Sequence, residues 1–206
     1  MLELHRYSCL EENVEEPRGE SRRVKMTKRL MKEAMIELME EHGTSKVSVT
    51  SICKQADVNR STFYAYYNQP SDLLSEIEDE VLAKLPHIER DRYNAQDTVF
   101  INSLADYLNY MKENSRLFRV LMLSPADSGF QQKMVETAIL LYTDNEGPKD
   151  TPQQHCRHAY IVSGCIGLLR CWISKGFPGS SKTIAALMLR MSVQANDLPD
   201  DLLDSF

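Results

Sequence analysis

Arg60, Ser61, Thr62, Tyr64 and Tyr66 gather five hydrogen-bonding side chains within two helical turns. A guanidinium can bond O6 and N7 of guanine together, and hydroxyls can reach bases or phosphates. Ahead of this run, Val49 to Ala56 reads as a short helix behind an N-capping Ser48. Ala56-Asp57-Val58-Asn59 then reads as a tight turn into a second helix, from Arg60 to about Tyr67, capped by Asn59. Ile52, Val58 and Phe63 supply a packing triangle, and Cys53 is small enough to let the helices approach. Asp57 tolerates the left-handed backbone expected in such a turn. Two helices so joined form a helix-turn-helix, whose second helix can enter a major groove about 12 Å wide. A plain corner between helices explains the packing residues but not the hydrogen-bonding set.

Other chemistry is sparse. His155, Cys156 and His158 share a helix, and the histidines, at i and i+3, share a face; a zinc site needs three or four ligands and no nearby pair completes one, so surface or interface packing is the expectation and no metal is assigned. The cysteines at 9, 53, 156, 165 and 171 are odd in number and unpaired in spacing, which predicts reduced thiols, with a redox switch at Cys165 or Cys171 as the alternative. No glycine-rich phosphate loop, nucleophile elbow or HExxH is present, so neither catalytic residues nor a cofactor are expected.

Net charge sets a test for nucleic-acid binding, because 24 basic against 30 acidic residues leave −6 over 206 residues. The charge is uneven. Residues 18–70 hold ten Lys and Arg against six acids, whereas 1–17 and 71–206 are both net acidic. A basic block on an acidic body fits either a solvated helix face or a phosphate-binding patch.

The elements that must position these groups are all helical. Residues 1–20 show no apolar period and are expected to be a poorly ordered tail. Val24, Met31, Met35 and Leu38 mark a first helix from Ser21 that stops at Gly43. Pro70 suits the first turn of a helix carrying Leu73, Ile77, Val81 and Leu85, ended by Pro86. Phe100 to Met111, Asn114 to Met122 and Phe130 to Tyr142 read as three more, and residues 153 to 175 and 181 to 195 as two long closing helices. No period-2 run of strand length occurs, so the fold class is all-α with about nine helices. The absence of an apolar span or leader predicts a soluble cytoplasmic protein with no membrane partner.

The motif Ile52-Cys53, Val58-Asn59, Thr62-Phe63-Tyr64, Tyr66-Tyr67 and Leu73-Leu74 closely resembles the N-terminal pattern of the TetR family of bacterial transcriptional regulators over residues 21 to 82. Tyr160, Gly164, Gly167-Leu168-Leu169, Trp172 and Gly176-Phe177-Pro178 look like a C-terminal domain of one TetR subgroup. The resemblance implies a DNA-binding domain at 21–68 and an effector-binding and dimerisation domain at 69–206. It implies phosphate contacts from Thr27, Tyr64 and Tyr66, and base contacts from Thr50, Arg60, Ser61 and Thr62, with Ser48 and Asn59 beside them. Lys46 reads equally as a phosphate contact or a solvated lysine. One departure is Pro70, where the family commonly has a phosphate-binding lysine.

The resemblance further implies a homodimer on a double-stranded, near-palindromic DNA operator, released by an unidentified small-molecule effector, and so a repressor. The dimer interface is expected at Gly164, Gly167, Ile184, Leu187, Met188 and Met191, with packing inside one chain as the alternative. The effector pocket is expected among Tyr107, Tyr110, Met111, Phe118, Met122, Tyr160 and Trp172, residues that would otherwise be plain core. The rival reading keeps the fold but acts as an interaction protein or co-activator through a protein partner, with operator binding weak or lost.

Overall fold

Local signals place the helix ends. Ser21 accepts from the Val24 amide to cap α1 (Arg22–His42), and Gly43, at φ 79, closes it by donating to the Met39 carbonyl. Ser48 and Ser51 form a reciprocal capping box on α2 (Val49–Gln55) after a 3-10 turn at Thr44–Lys46. α3 (Arg60–Tyr64) is shorter than its sequence suggests, because residues 65–66 turn rather than continue the helix. Asn59 caps it through the backbone and makes no side-chain cap bond.

The computed structural model describes residues 21–86, 97–124, 129–143 and 151–196. The tail read at 1–20, the loop at 87–96 and most of the turn-rich stretch from 144 lie outside the described residues. α4 (Pro70–Leu82) carries proline at its first position, where a missing N–H is harmless, and breaks into turns before Pro86. α5 (Thr98–Glu113), α6 (Ser115–Leu123), α7 (Phe130–Thr143), α8 (Pro152–Ser174) and α9 (Ser181–Asn196) complete an all-α chain, with no strand among the described residues. None of these helices is long and apolar enough to cross a membrane.

α1 packs against α2, α4 and α6, while α5 lies along α9 and α8 against α6, α7 and α9. One continuous core, including Met31, Ile52, Phe63, Leu73, Leu108, Phe118 and Ile173, joins the two ends. Polar ties reinforce the junction. Arg116 of α6 reaches Glu37 and Glu40 of α1, and Gln55 of α2 donates to Glu37 at 2.7 Å.

α8 ends in a strained turn. Gly176 and Phe177 both have positive φ, 80 and 60, and for phenylalanine that conformation is costly. Its ring meets Trp172 edge-on at 4.9 Å, its amide donates to the Trp172 carbonyl, and the Trp172 indole donates to the Pro178 carbonyl at 2.8 Å. These contacts hold the strained residue and explain physically why a Trp-x3-Gly-Phe-Pro sequence belongs here.

Candidate nucleic-acid interface and ligand cavity

The helix-turn-helix is assembled from the inside outward. Ile52 and Phe63 are wholly buried, Cys53 nearly so, and Val58 half-buried, while Asp57 takes φ 52 as the turn requires. Phe63 meets Tyr67 at 5.5 Å and Tyr64 edge-on at 5.8 Å. With those side chains inside, Asn59, Arg60, Ser61, Tyr64 and Tyr66 are exposed and Thr62 is half-buried. Thr50 and Lys46 are exposed on the preceding segment. The Arg60 guanidinium donates to the Thr50 hydroxyl, so two expected base-contacting residues are already joined across the turn.

Other expected contacts are partly engaged. The Ser48 hydroxyl is occupied by its cap, accepting from the Ser51 amide at 3.1 Å. Thr27 is half-buried and its hydroxyl donates to the Arg23 carbonyl at 2.9 Å, so a phosphate contact would require that bond to rearrange. The basic block also divides. Lys28 lies 3.6 Å from Glu76, and Lys32 binds Glu76 and Glu80 at 2.7 and 2.6 Å, fastening α1 to α4. Among the described residues, Arg22, Arg23, Lys25, Lys46, Lys54 and Arg60 are exposed and show no ion pair, leaving them able to face phosphate.

The start of α4 is poorly suited to an anion. Pro70 has no amide hydrogen, and the Asp72 carboxylate already accepts from the Asn68 and Gln69 amides at 2.9 and 3.2 Å. Those backbone bonds hold the Asp72 carboxyl below its ordinary value. Pro70→Lys is therefore expected to strengthen DNA binding and to steepen the log–log salt dependence by up to about one unit, as measured by titration over a range of salt.

The α1–α4 junction carries a pH dependence. Burial pushes the Glu76 carboxyl up, but bonds from Lys32 and Tyr67 and the charges of Lys32 and Lys28 bring it below its ordinary 4.5. Burial likewise lowers Lys32, yet Glu76 and Glu80 raise it above 10.5. A depressed carboxyl contributes stability that is complete above the unfolded value and lost as pH falls through the folded one. A raised lysine contributes below its unfolded value and loses that as pH rises. Glu76→Gln is thus expected to cost roughly 0.5–1 kcal/mol near neutrality and progressively less as pH falls below about 4.5 through the depressed folded-state value, read from urea midpoints over the acid range. Glu78 runs oppositely. Burial raises its carboxyl despite Lys133 at 3.5 Å, so its own charge is a cost that acidification removes.

A cavity of about 110 Å³ lies between α5, α7, α8 and α9. Of the residues expected to line an effector pocket, the structure brings only Tyr107 to it. Met111, Phe118 and Met122 are wholly buried core. Trp172 is tied into the turn after α8, Tyr110 sits half-buried beneath the Lys84 ammonium at 4.5 Å, and Tyr160 is 72% exposed. The lining is instead mostly aliphatic, with Leu104, Ile161, Leu169 and Leu189 prominent. No residue-type signal marks such positions, because a cavity arises where helix layers fail to meet.

The expected interface residues divide by helix face. Gly164 and Gly167 are exposed with open space where a Cβ would sit, Leu187 and Met191 are exposed, and Ile184 is half-buried. Met188 turns inward and lines the cavity. Tyr160 instead joins Gly164, Leu168 and Met191 along an outer groove of α8 and α9. His155 and Cys156 are exposed and His158 is buried; no cluster able to hold a metal ion occurs among the described residues.

Fold and site together define a helix-turn-helix protein with a cavity-bearing helical body. Residues 33–77 match the model of bacterial regulatory proteins of the TetR family, and residues 100–194 a transcriptional regulator C-terminal region of the same family. The chain belongs to the TetR family of bacterial transcriptional regulators, which are DNA-binding proteins rather than enzymes. It is 29% identical over 98 residues to the dhaKLM operon transcriptional activator DhaS of Lactococcus lactis, a match spanning 48% of this chain and about half (50%) of that protein. Among solved structures, a TetR regulator from Streptococcus agalactiae superposes with TM-score 0.60 at 22% identity, covering 83% of this chain and 96% of that one. NalD, the secondary repressor of the MexAB-OprM efflux pump in Pseudomonas aeruginosa, gives 0.54 at 21% identity, with 84% and 97% covered.

Proposed function

We propose that the chain is a homodimeric, operator-binding regulator whose α5–α9 body senses a small molecule. The observation that carries this reading is the sorting of side chains on α2 and α3: Ile52 and Phe63 are sealed inside while Arg60, Ser61, Tyr64 and Tyr66 face out. The open face of α8 and α9, with Gly164, Gly167, Leu187 and Met191, is the surface for the second copy. A twofold dimer sets its recognition helices about 34–36 Å apart, on successive major grooves of a near-palindrome.

Effector binding regulates by favouring a dimer shape in which that spacing is wrong, so ligand and DNA oppose each other through a coupling free energy. The sign of regulation follows from where the operator lies relative to the promoter. Similar proteins include one named as an activator and one named as a repressor. The test is a mobility-shift titration of the promoter upstream of the protein's own gene. A salt-sensitive shift that unrelated DNA does not compete away supports the reading. A dimer giving no sequence-specific shift at low salt would sink it, in favour of a protein that acts through a protein partner.

A further inference from the structure

The cavity walls specify a ligand chemistry. They are built almost wholly of apolar side chains, from Leu104 of α5, Met134 and Ala138 of α7, Ile161 and Leu169 of α8 and Leu189 of α9. Tyr107 contributes ring carbon rather than its hydroxyl, which is sealed in the packing out of reach of a water molecule. Two further lining residues carry polar side-chain atoms, and these answer each other: the Cys165 thiol and the Ser192 hydroxyl lie 3.5 Å apart. Burial pushes that thiol up, against the opposing bond to Ser192, so it stays uncharged. No charged side chain among the described residues borders the space. An ionic ligand there would lose its hydration without finding a counter-charge, and a hydroxyl or carbonyl would lose its water without gaining an unengaged partner. A water molecule fares no better, since it needs about two to four polar partners to be held.

We propose that this cavity binds a small hydrocarbon, a neutral molecule about the size of one benzene ring that makes no hydrogen bond and is held by contact with the apolar walls alone. The volume of about 110 Å³ is somewhat below that of an engineered apolar cavity of about 150 Å³ that admits benzene, so a single six-membered ring is the upper size. Each carbon of such a ligand meets wall atoms at van der Waals distance, contacts that are individually small and collectively large. A polar analogue of the same shape gains those contacts but leaves its own polar group unpaired, so the walls select by polarity as well as by size. The ligand class stands on the cavity alone; only its effect on DNA rests on the sensor reading above.

Benzene, phenol and benzoate share one ring and differ in polarity, and ligand-observed NMR titration of the full chain compares them. Benzene is expected to bind wild type, phenol to bind about thirtyfold more weakly, and benzoate more weakly still. Ala138→Leu puts added carbon into the space and is expected to weaken benzene by about tenfold or more. Leu104→Ala enlarges the space and is expected to raise the affinity for naphthalene about fivefold or more over wild type. Thermal melts show which variants fold, and either one alone locates the bound ring. Phenol or benzoate binding as tightly as benzene overturns the proposal. So does benzene that fails to bind wild type, or ring binding that a folded variant leaves unchanged. Repeating the operator shift with benzene separates the two readings: cavity-dependent binding that leaves DNA affinity unchanged refutes the sensor, not the ligand class.

Discussion

Arg60→Ala is expected to weaken operator binding by about 1–3 kcal/mol and to relax selectivity at one base pair in each half-site. Arg60 opens α3, the end of a recognition helix that approaches base edges, and its guanidinium is already steadied by the Thr50 hydroxyl. One N–H is used there and the rest of the fork stays available, so the side chain loses little freedom on binding guanine. Thr50→Val removes that support and is expected to cost less than Arg60→Ala at the same base pair. Competition with operators changed one position at a time is the deciding measurement. A uniform loss across all sequences, with the salt slope reduced by about one, would instead make Arg60 a phosphate contact.

The contrast between the two ends of the molecule explains what was legible in the sequence. At the DNA-facing end, structure is dictated locally. Ser21, Ser48, Gly43 and Pro70 mark helix ends through their own hydrogen bonds or ring, and Asp57 adopts the left-handed turn expected of it. Residues of the basic block could be counted but not assigned. Lys28 and Lys32 turn to α4, a pairing across more than 40 residues that composition does not encode.

In the body, residue type misdirects. Aromatic and methionine side chains suggested a pocket, yet Met111, Phe118 and Met122 fill the core completely and aliphatic residues line the space. The stripe on α9 was correct as an apolar stripe but wider than one face. Leu187 and Met191 point outward, while Ala185, Met188 and Leu189 are buried. The negative total charge likewise proved a poor guide, since residues 18–70 carry a net positive charge within it and six exposed cations without an ion pair among the described residues, Arg22, Arg23, Lys25, Lys46, Lys54 and Arg60, lie in that stretch.

Phe63→Ala is expected to destabilise the DNA-binding end by about 3–5 kcal/mol and to abolish operator binding. α3 spans five residues, too few to be helical in isolation, so its position depends on what its buried face grips. Phe63 is the one fully buried side chain on that helix, packed on Tyr67 and sharing the core with Ile52. Removing the ring leaves a cavity beneath a segment with no other buried side chain, held otherwise only by the exposed Arg60–Thr50 hydrogen bond. Phe63→Leu keeps much of the apolar volume and is expected to cost roughly 1–1.5 kcal/mol. Trp172 is the sole tryptophan and lies in the body against Phe177, so its fluorescence reports that end alone. In Phe63→Ala the far-ultraviolet circular dichroism should begin to fall at lower urea than the Trp172 signal. Coincident transitions would show that the continuous core, with the ties from Arg116 to Glu37 and Glu40, makes both ends unfold as one unit.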